Sequence, residues 1–183
     1  HVHQTRPMFN WGGLGEVSNN LFSLYVTRSF GNKTRISEQN NYDKSRKSII
    51  ENKISYLQDE DVFNRLVPFW QLQLYFEGTG NNPNFYPDLF EAFRMQSAKL
   101  QAERPRIASN WSAERMQGER NPAVHQLNFI KTACEVAKVD LTDFFDSYGF
   151  FYVGKMTYDD YGKYTYEMTQ GMVNDCKKLI KTM

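Results

Sequence analysis

At 183 residues, with 22 basic and 21 acidic side chains, the chain carries a formal charge of +1 and offers no overall field to attract nucleic acid or an anionic membrane. No run of 18 apolar residues exists to span a bilayer. The 14 Phe, 11 Tyr and 3 Trp suit a packed core, and the length is enough for a single helical domain over residues 1–183 or for the larger part of a bigger one.

The chain opens His1-Val2-His3-Gln4, and Trp11-Gly12-Gly13-Leu14-Gly15 then leads into a helix expected from Glu16 to about residue 30. Val17, Leu21, Leu24 and Tyr25 fall at i, i+4, i+7 and i+8, one apolar face. The glycines let the chain reverse just before it. Glu16 therefore belongs to the first turn, with Asn20 one turn later on the same side. A histidine, a short loop and a helical glutamate form the second half of a zinc site of the H-E-x-x-H type. Each residue alone has a plainer reading: a chance histidine pair, a carboxylate favoured by the helix dipole, a solvated amide. A free amino terminus with His3 would also make a square-planar site for Cu(II) or Ni(II).

Taken jointly, these residues resemble the M60-like, enhancin-type metallopeptidases, whose motif is H-E-x-G-H-x-x-Q followed by W-x-G-x-x-E-V-x-x-N. His1 and Gln4 match the end of the first half; Trp11, Gly13, Glu16, Val17 and Asn20 match the second. The resemblance implies that His1 and Glu16 are zinc ligands and that Asn20 orients a ligand histidine. The remaining histidine and the general-base glutamate of the motif would fall four and three positions before residue 1. No catalytic residue of that kind is then expected within the chain, and the chain by itself is expected to be inactive. The family further implies a glycoprotein substrate, notably mucin-type proteins with O-linked glycans, and a secreted or surface-attached protein.

Farther along, residues 33–45 are polar and read as a surface loop. A short helix with Ile49, Ile50, Ile54 and Leu57 as its stripe follows. Asp59-Glu60-Asp61 places negative charge before a helix over 62–76, whose Phe63, Leu66, Val67, Trp70, Leu74 and Tyr75 make it the central core helix, with Pro68 expected to kink it. Trp70 at that spacing reads as core rather than as a ligand platform. Residues 78–83 read as a loop, and a helix is expected over 87–101. Residues 103–120, with four arginines and Trp111, show no period and read as a mixed-charge connection.

Asn121-Pro122 is an N-cap followed by proline at the first helical position. The helix it opens, to about residue 137, should bury Val124, Leu127, Ile130 and Cys134, with His125 beside that face as a structural histidine. A short helix from Asp140 ends at Tyr148-Gly149, and 150–153 reads as a strand or an aromatic loop. The last helix is expected over 163–180. Cys134 and Cys176 lie in expected helices without ligand partners at metal spacing, which argues against a cysteine zinc site; a disulfide and two buried thiols remain equally open. The fold class is mainly α with few or no strands.

The chemistry such a centre needs is a metal-acidified water and a carboxylate to take its proton. Tyr152, Tyr158 and Tyr161 are candidate oxyanion stabilisers by chemistry only. The rival to a peptidase is a non-catalytic helical module that binds glycans or proteins.

Overall fold

A computed structural model describes residues 11–103, 121–160 and 163–183. The chain is mainly α, as its periodicity implies. In order come α1 (Gly15–Ser29), α2 (Arg35–Glu38), α3 (Asn41–Ser45) running into a π-helical turn (Arg46–Glu51), a 3-10 turn (Tyr56–Gln58), α4 (Val62–Thr79) and α5 (Phe85–Glu103). From residue 121 onward come α6 (Pro122–Ala137), α7 (Thr142–Ser147), the strands β1 (Gly154–Asp159) and β2 (Lys163–Met168), and α8 (Gln170–Ile180). No helix among the described residues is long and apolar enough to cross a membrane.

The central helix is α4. Asp61 caps it, its Oδ1 accepting from the Phe63 N–H at 2.8 Å, and Gly80 ends it in the left-handed conformation with φ 68°. Pro68 removes the donor that would serve the carbonyl of Asn64, four residues earlier. Ser45 Oγ fills that vacancy by donating to Asn64 O at 3.0 Å. Asn41 Nδ2 donates to Asn64 Oδ1 at 2.9 Å, so α3 docks on α4 through buried polar contacts. This is why residues 33–45 form helices where polarity suggested a surface loop: Asn41 and Ser45 are fully buried because α4 needs their donors.

Trp70 is buried, as its spacing implies. Around it lies an aromatic core in which Tyr56 stacks on Phe150 with centroids 4.1 Å apart, and Phe69 and Phe129 pack at 5.4 Å. Aromatic pairs of this kind add to the area they bury. Within α1 the expected face is buried at Val17, Leu21 and Leu24, each contributing on the order of 1.5–3 kcal/mol, while Tyr25 is exposed. Val124 (55% exposed) and Tyr75 (48%) also lie outside the core expected to hold them, because α6 and α4 each turn a polar-rich face to solvent there. Both cysteines are buried free thiols, and burial pushes each up to about 11.

The main departure from expectation is the end of the chain. Residues 163–168 are strand rather than the start of the last helix, and β1 pairs with β2 in antiparallel register from Gly154↔Met168 to Asp159↔Lys163. Segment 150–153 is loop leading into β1. Asn121 ties this hairpin to the helical body. Its Oδ1 caps α6 through the Ala123 N–H (3.1 Å) and accepts from Glu167 N (3.0 Å), while its Nδ2 donates to Glu167 O (2.7 Å). Replacing Asn121 with Ala should therefore cost roughly 1–3 kcal/mol, a cap together with two strand contacts. A urea midpoint indistinguishable from that of the unsubstituted chain would refute the double role.

Candidate metal centre

The segment Trp11-Gly12-Gly13-Leu14-Gly15 delivers Glu16 to the start of α1, and almost every polar atom in it is gripped. Trp11 is buried, its indole Nε1 donating to the Tyr56 hydroxyl at 3.0 Å and its ring lying 5.4 Å from Phe129. Leu14 N donates to Trp11 O at 3.0 Å, closing a turn, and Leu14 itself is fully buried. Gly13 holds φ at 98°, a value that disfavours any side chain. A Cβ at Gly12 would stand 2.4 Å from the Tyr164 ring, and one at Gly13 2.3 Å from Leu57 Cδ2. Gly12 is therefore favoured by space, and Gly13 by space and conformation.

Three side chains from distant parts of the sequence hold the backbone. Asp160, just past β1, accepts from Gly13 N at 2.8 Å and from Gly15 N at 3.2 Å through a single oxygen, Oδ2. Tyr158, on β1, donates its hydroxyl to Gly12 O at 2.5 Å. Arg65, on α4, donates from Nη1 to Gly13 O at 3.3 Å. α1 has no side-chain cap from Leu14, so the Asp160 carboxylate serves that end of the helix from across the fold, where the exposed N–H groups favour an anion. Burial and the neighbouring Asp160 carboxylate raise the Tyr158 hydroxyl far above its usual range, so it stays protonated and donates.

Glu16 consequently sits half-exposed in the first turn of a helix whose entry is fixed on every side. Asn20, half-exposed one turn on, donates Nδ2 to Glu16 O at 2.7 Å. That bond uses one of the two amide N–H donors and leaves Oδ1 as the atom suited to accept from an imidazole N–H. His1 lies outside the described residues, as do Gln4, Tyr161, Trp111 and the four arginines of 103–120. Among the described residues no three His, Cys, Asp or Glu side chains come together as a metal cluster. What the structure places is one carboxylate, Glu16, whose donor chemistry fits one position around zinc. His125 is half-buried on α6. Of the tyrosines considered for an oxyanion, Tyr158 commits its proton to Gly12 O, and Tyr152 lends its main-chain oxygen to the Tyr166 hydroxyl at 2.9 Å.

Asp160 and Arg65 are residues that sequence reasoning passed over, and Tyr158, considered there only for an oxyanion, instead holds the glycine loop. The signal for the hairpin was present: Lys163-Tyr164-Thr165-Tyr166-Glu167-Met168 alternates with a period of two. Replacing Asp160 with Ala leaves two glycine N–H groups without their charged acceptor. The expected loss is roughly 2–3 kcal/mol of stability, with Asp160→Asn recovering part of it. Equal urea midpoints for Asp160→Ala and the unsubstituted chain would show that the contact does not hold the loop.

Comparison with known proteins agrees with this architecture. A metallopeptidase from Bacteroides thetaiotaomicron superposes with a TM-score of 0.71 at 24% identity, over 96% of this chain and 28% of that one. A metallopeptidase in complex with Tn antigen gives 0.72 at 24% identity, over 96% of this chain and 30% of that one. A functionally unknown conserved protein from Bacillus anthracis str. Ames gives 0.61 at 23% identity, over 94% and 27%. At these identities the likeness is one of fold, and the chain spans less than a third of the length of each. No curated protein sequence matches the chain. Residues 1–149 match the family model described as Peptidase M60, enhancin and enhancin-like, and the chain belongs to that family.

Proposed function

We propose that this chain forms the Glu16-bearing part of the catalytic centre of a zinc metallopeptidase that acts on glycoproteins, including mucin-type proteins with O-linked glycans. The observation that carries the reading is the gripped glycine loop. Three distant side chains hold Gly12, Gly13 and Gly15 so that one carboxylate, Glu16, emerges at a fixed point. A Cβ at Gly12 would stand 2.4 Å from the Tyr164 ring and one at Gly13 2.3 Å from Leu57 Cδ2, so the loop passes too close to its neighbours for larger residues. Family membership supports the peptidase reading. The Tn antigen bound by a protein of the same fold supports a glycoprotein substrate, and such a substrate points to a secreted or cell-surface protein.

Zinc, when bound, supplies a water acidic enough to ionise near neutral pH. Glu16 and His1 are the side chains of this chain that would hold it. Asn20 Oδ1 accepts the ring N–H of a ligand histidine, fixing its tautomer and orientation, while the Nδ2 bond to Glu16 O keeps the amide turned the right way. The rigid entry to α1 fixes the Glu16 backbone, so that ligation has only its side-chain torsions left to order. The remaining histidine and the general base belong to the H-E-x-G half of the motif.

The test uses a polypeptide that carries the whole motif. Glu16→Gln keeps the size and removes the charge, so bound zinc and cleavage of a mucin-type glycopeptide should both fall steeply while the metal-free melting temperature barely moves. Asn20→Ala should cost roughly 10- to 100-fold in metal affinity or activity. The 183-residue chain alone should hydrolyse no glycopeptide. If Glu16→Gln still holds one zinc per chain as tightly as the unsubstituted protein, Glu16 is not a ligand. If the polypeptide with the whole motif binds no stoichiometric zinc, the non-catalytic module is the better reading.

A further inference from the structure

The two edges of the hairpin are treated differently. On β2, Asn121 pairs with Glu167 as a neighbouring strand would, accepting from Glu167 N at 3.0 Å and donating to Glu167 O at 2.7 Å. Glu167 therefore turns its main-chain groups away from β1. Opposite residues of an antiparallel pair either bond to each other or both turn outward, so Lys155, opposite Glu167, directs its N–H and C=O away from β2. Thr157, two residues on, repeats that orientation. Among the described residues, the main chain of neither Lys155 nor Thr157 bonds to anything outside the hairpin. An open strand edge is a template for another strand, and proteins usually cover it, as Asn121 does for β2.

Beside β1 lies a cavity of about 500 Å³, within the range of ligand pockets and bounded on its far side by residues 57–60. Four consecutive β1 residues, Met156 to Asp159, line it, although their side chains alternate between the faces of the hairpin. A cavity over one face would be lined by every second residue, so this one runs along the edge. None of the described β2 residues lines it. A strand added at the usual spacing of about 4.8 Å enters this cavity and meets the outward groups of Lys155 and Thr157. Charge selects among such strands. Asp59, Glu60 and Asp159 line the cavity against one guanidinium, Arg65, whose Nη1 already serves Gly13 O. The surroundings are net acidic and favour a basic side chain over an acidic one. The cavity also borders the Glu16 loop, because Tyr158 and Arg65 in its wall hold Gly12 O and Gly13 O.

We propose that β1 takes up an extended, basic stretch of the substrate polypeptide as a third strand. The outward main-chain groups of Lys155 and Thr157 pair with it, and a lysine or arginine side chain of that stretch lies in the acidic cavity. Naming the stretch as substrate rests on the peptidase reading; the pairing itself needs no metal.

Titration of the metal-free 183-residue chain with the peptide acetyl-Thr-Val-Lys-Val-Thr-amide, followed by amide NMR and hydrogen exchange, tests it. One peptide should bind per chain, more weakly as salt rises. The Lys155 and Thr157 amides should slow in exchange, while those of Met156 and Tyr158, already paired with β2, change little. Glutamate in place of the peptide's lysine should weaken binding about 10-fold. N-methylation of alternate peptide amides should abolish binding in one phase and spare it in the other, as for a strand paired on one side. Thr157→Pro removes an outward donor and no bond to β2, so it should lose binding while Thr157→Ala keeps it. Should the proline variant disturb the hairpin, the peptide series decides alone. No saturable binding at millimolar peptide, equal binding of the glutamate peptide, or protection that leaves out Lys155 and Thr157 would each overturn the proposal. None of these readouts involves zinc, so their failure is distinct from a failure of the peptidase reading.

Discussion

One oxygen atom, Asp160 Oδ2, holds the two backbone N–H groups of Gly13 and Gly15 across 147 and 145 residues of sequence. Around that contact the rest of the fold becomes intelligible. A glycine-rich entry to a helix presents N–H groups and the positive end of the helix dipole, so it attracts an anion. Here the protein supplies its own anion from the hairpin. The loop is thereby closed to other conformations, and Glu16, one residue past the second of those N–H groups, inherits a fixed position.

The hairpin must itself be rigid for this to work, and its attachments show how. Asn121 joins α6 to β2 through one side chain used three times. Tyr158 stacks on Tyr164 across the hairpin at 5.8 Å, and both rings border the glycines, with the Tyr158 hydroxyl on Gly12 O. At the other end of the loop, Trp11 is anchored in the aromatic core through Tyr56, which stacks on Phe150. The loop is thus clamped between a hairpin and a core, while the carboxylate it carries stays partly exposed.

Much of this was legible in the residues. The helix from Glu16, the glycine turn before it, the core position of Trp70 and the Asn121-Pro122 start all follow from local rules, since caps, periodicity and glycine placement act within a few residues. Signals that depend on distant partners were not legible. The 33–45 segment looks like a loop because Asn41 and Ser45 are polar, and only the carbonyl freed by Pro68 and the amide of Asn64 explain why they are buried. The hairpin was hidden by its lysines and glutamate, which read as a helical surface when the period-two alternation of Tyr164 and Tyr166 is overlooked. Arg65, in the middle of an apolar helix, reads as a lone charge until its contact with Gly13 is seen.

Everything above depends on the hairpin and the glycine loop forming one rigid unit. Site-resolved hydrogen exchange of the Gly13 and Gly15 amides in the native chain tests this most directly, because amides that open only with a cooperative unit share its opening free energy. Both should exchange as slowly as the paired amides of β1 and β2. Exchange of both at the rate of an unstructured peptide, while the hairpin amides remain protected, would contradict the rigid unit.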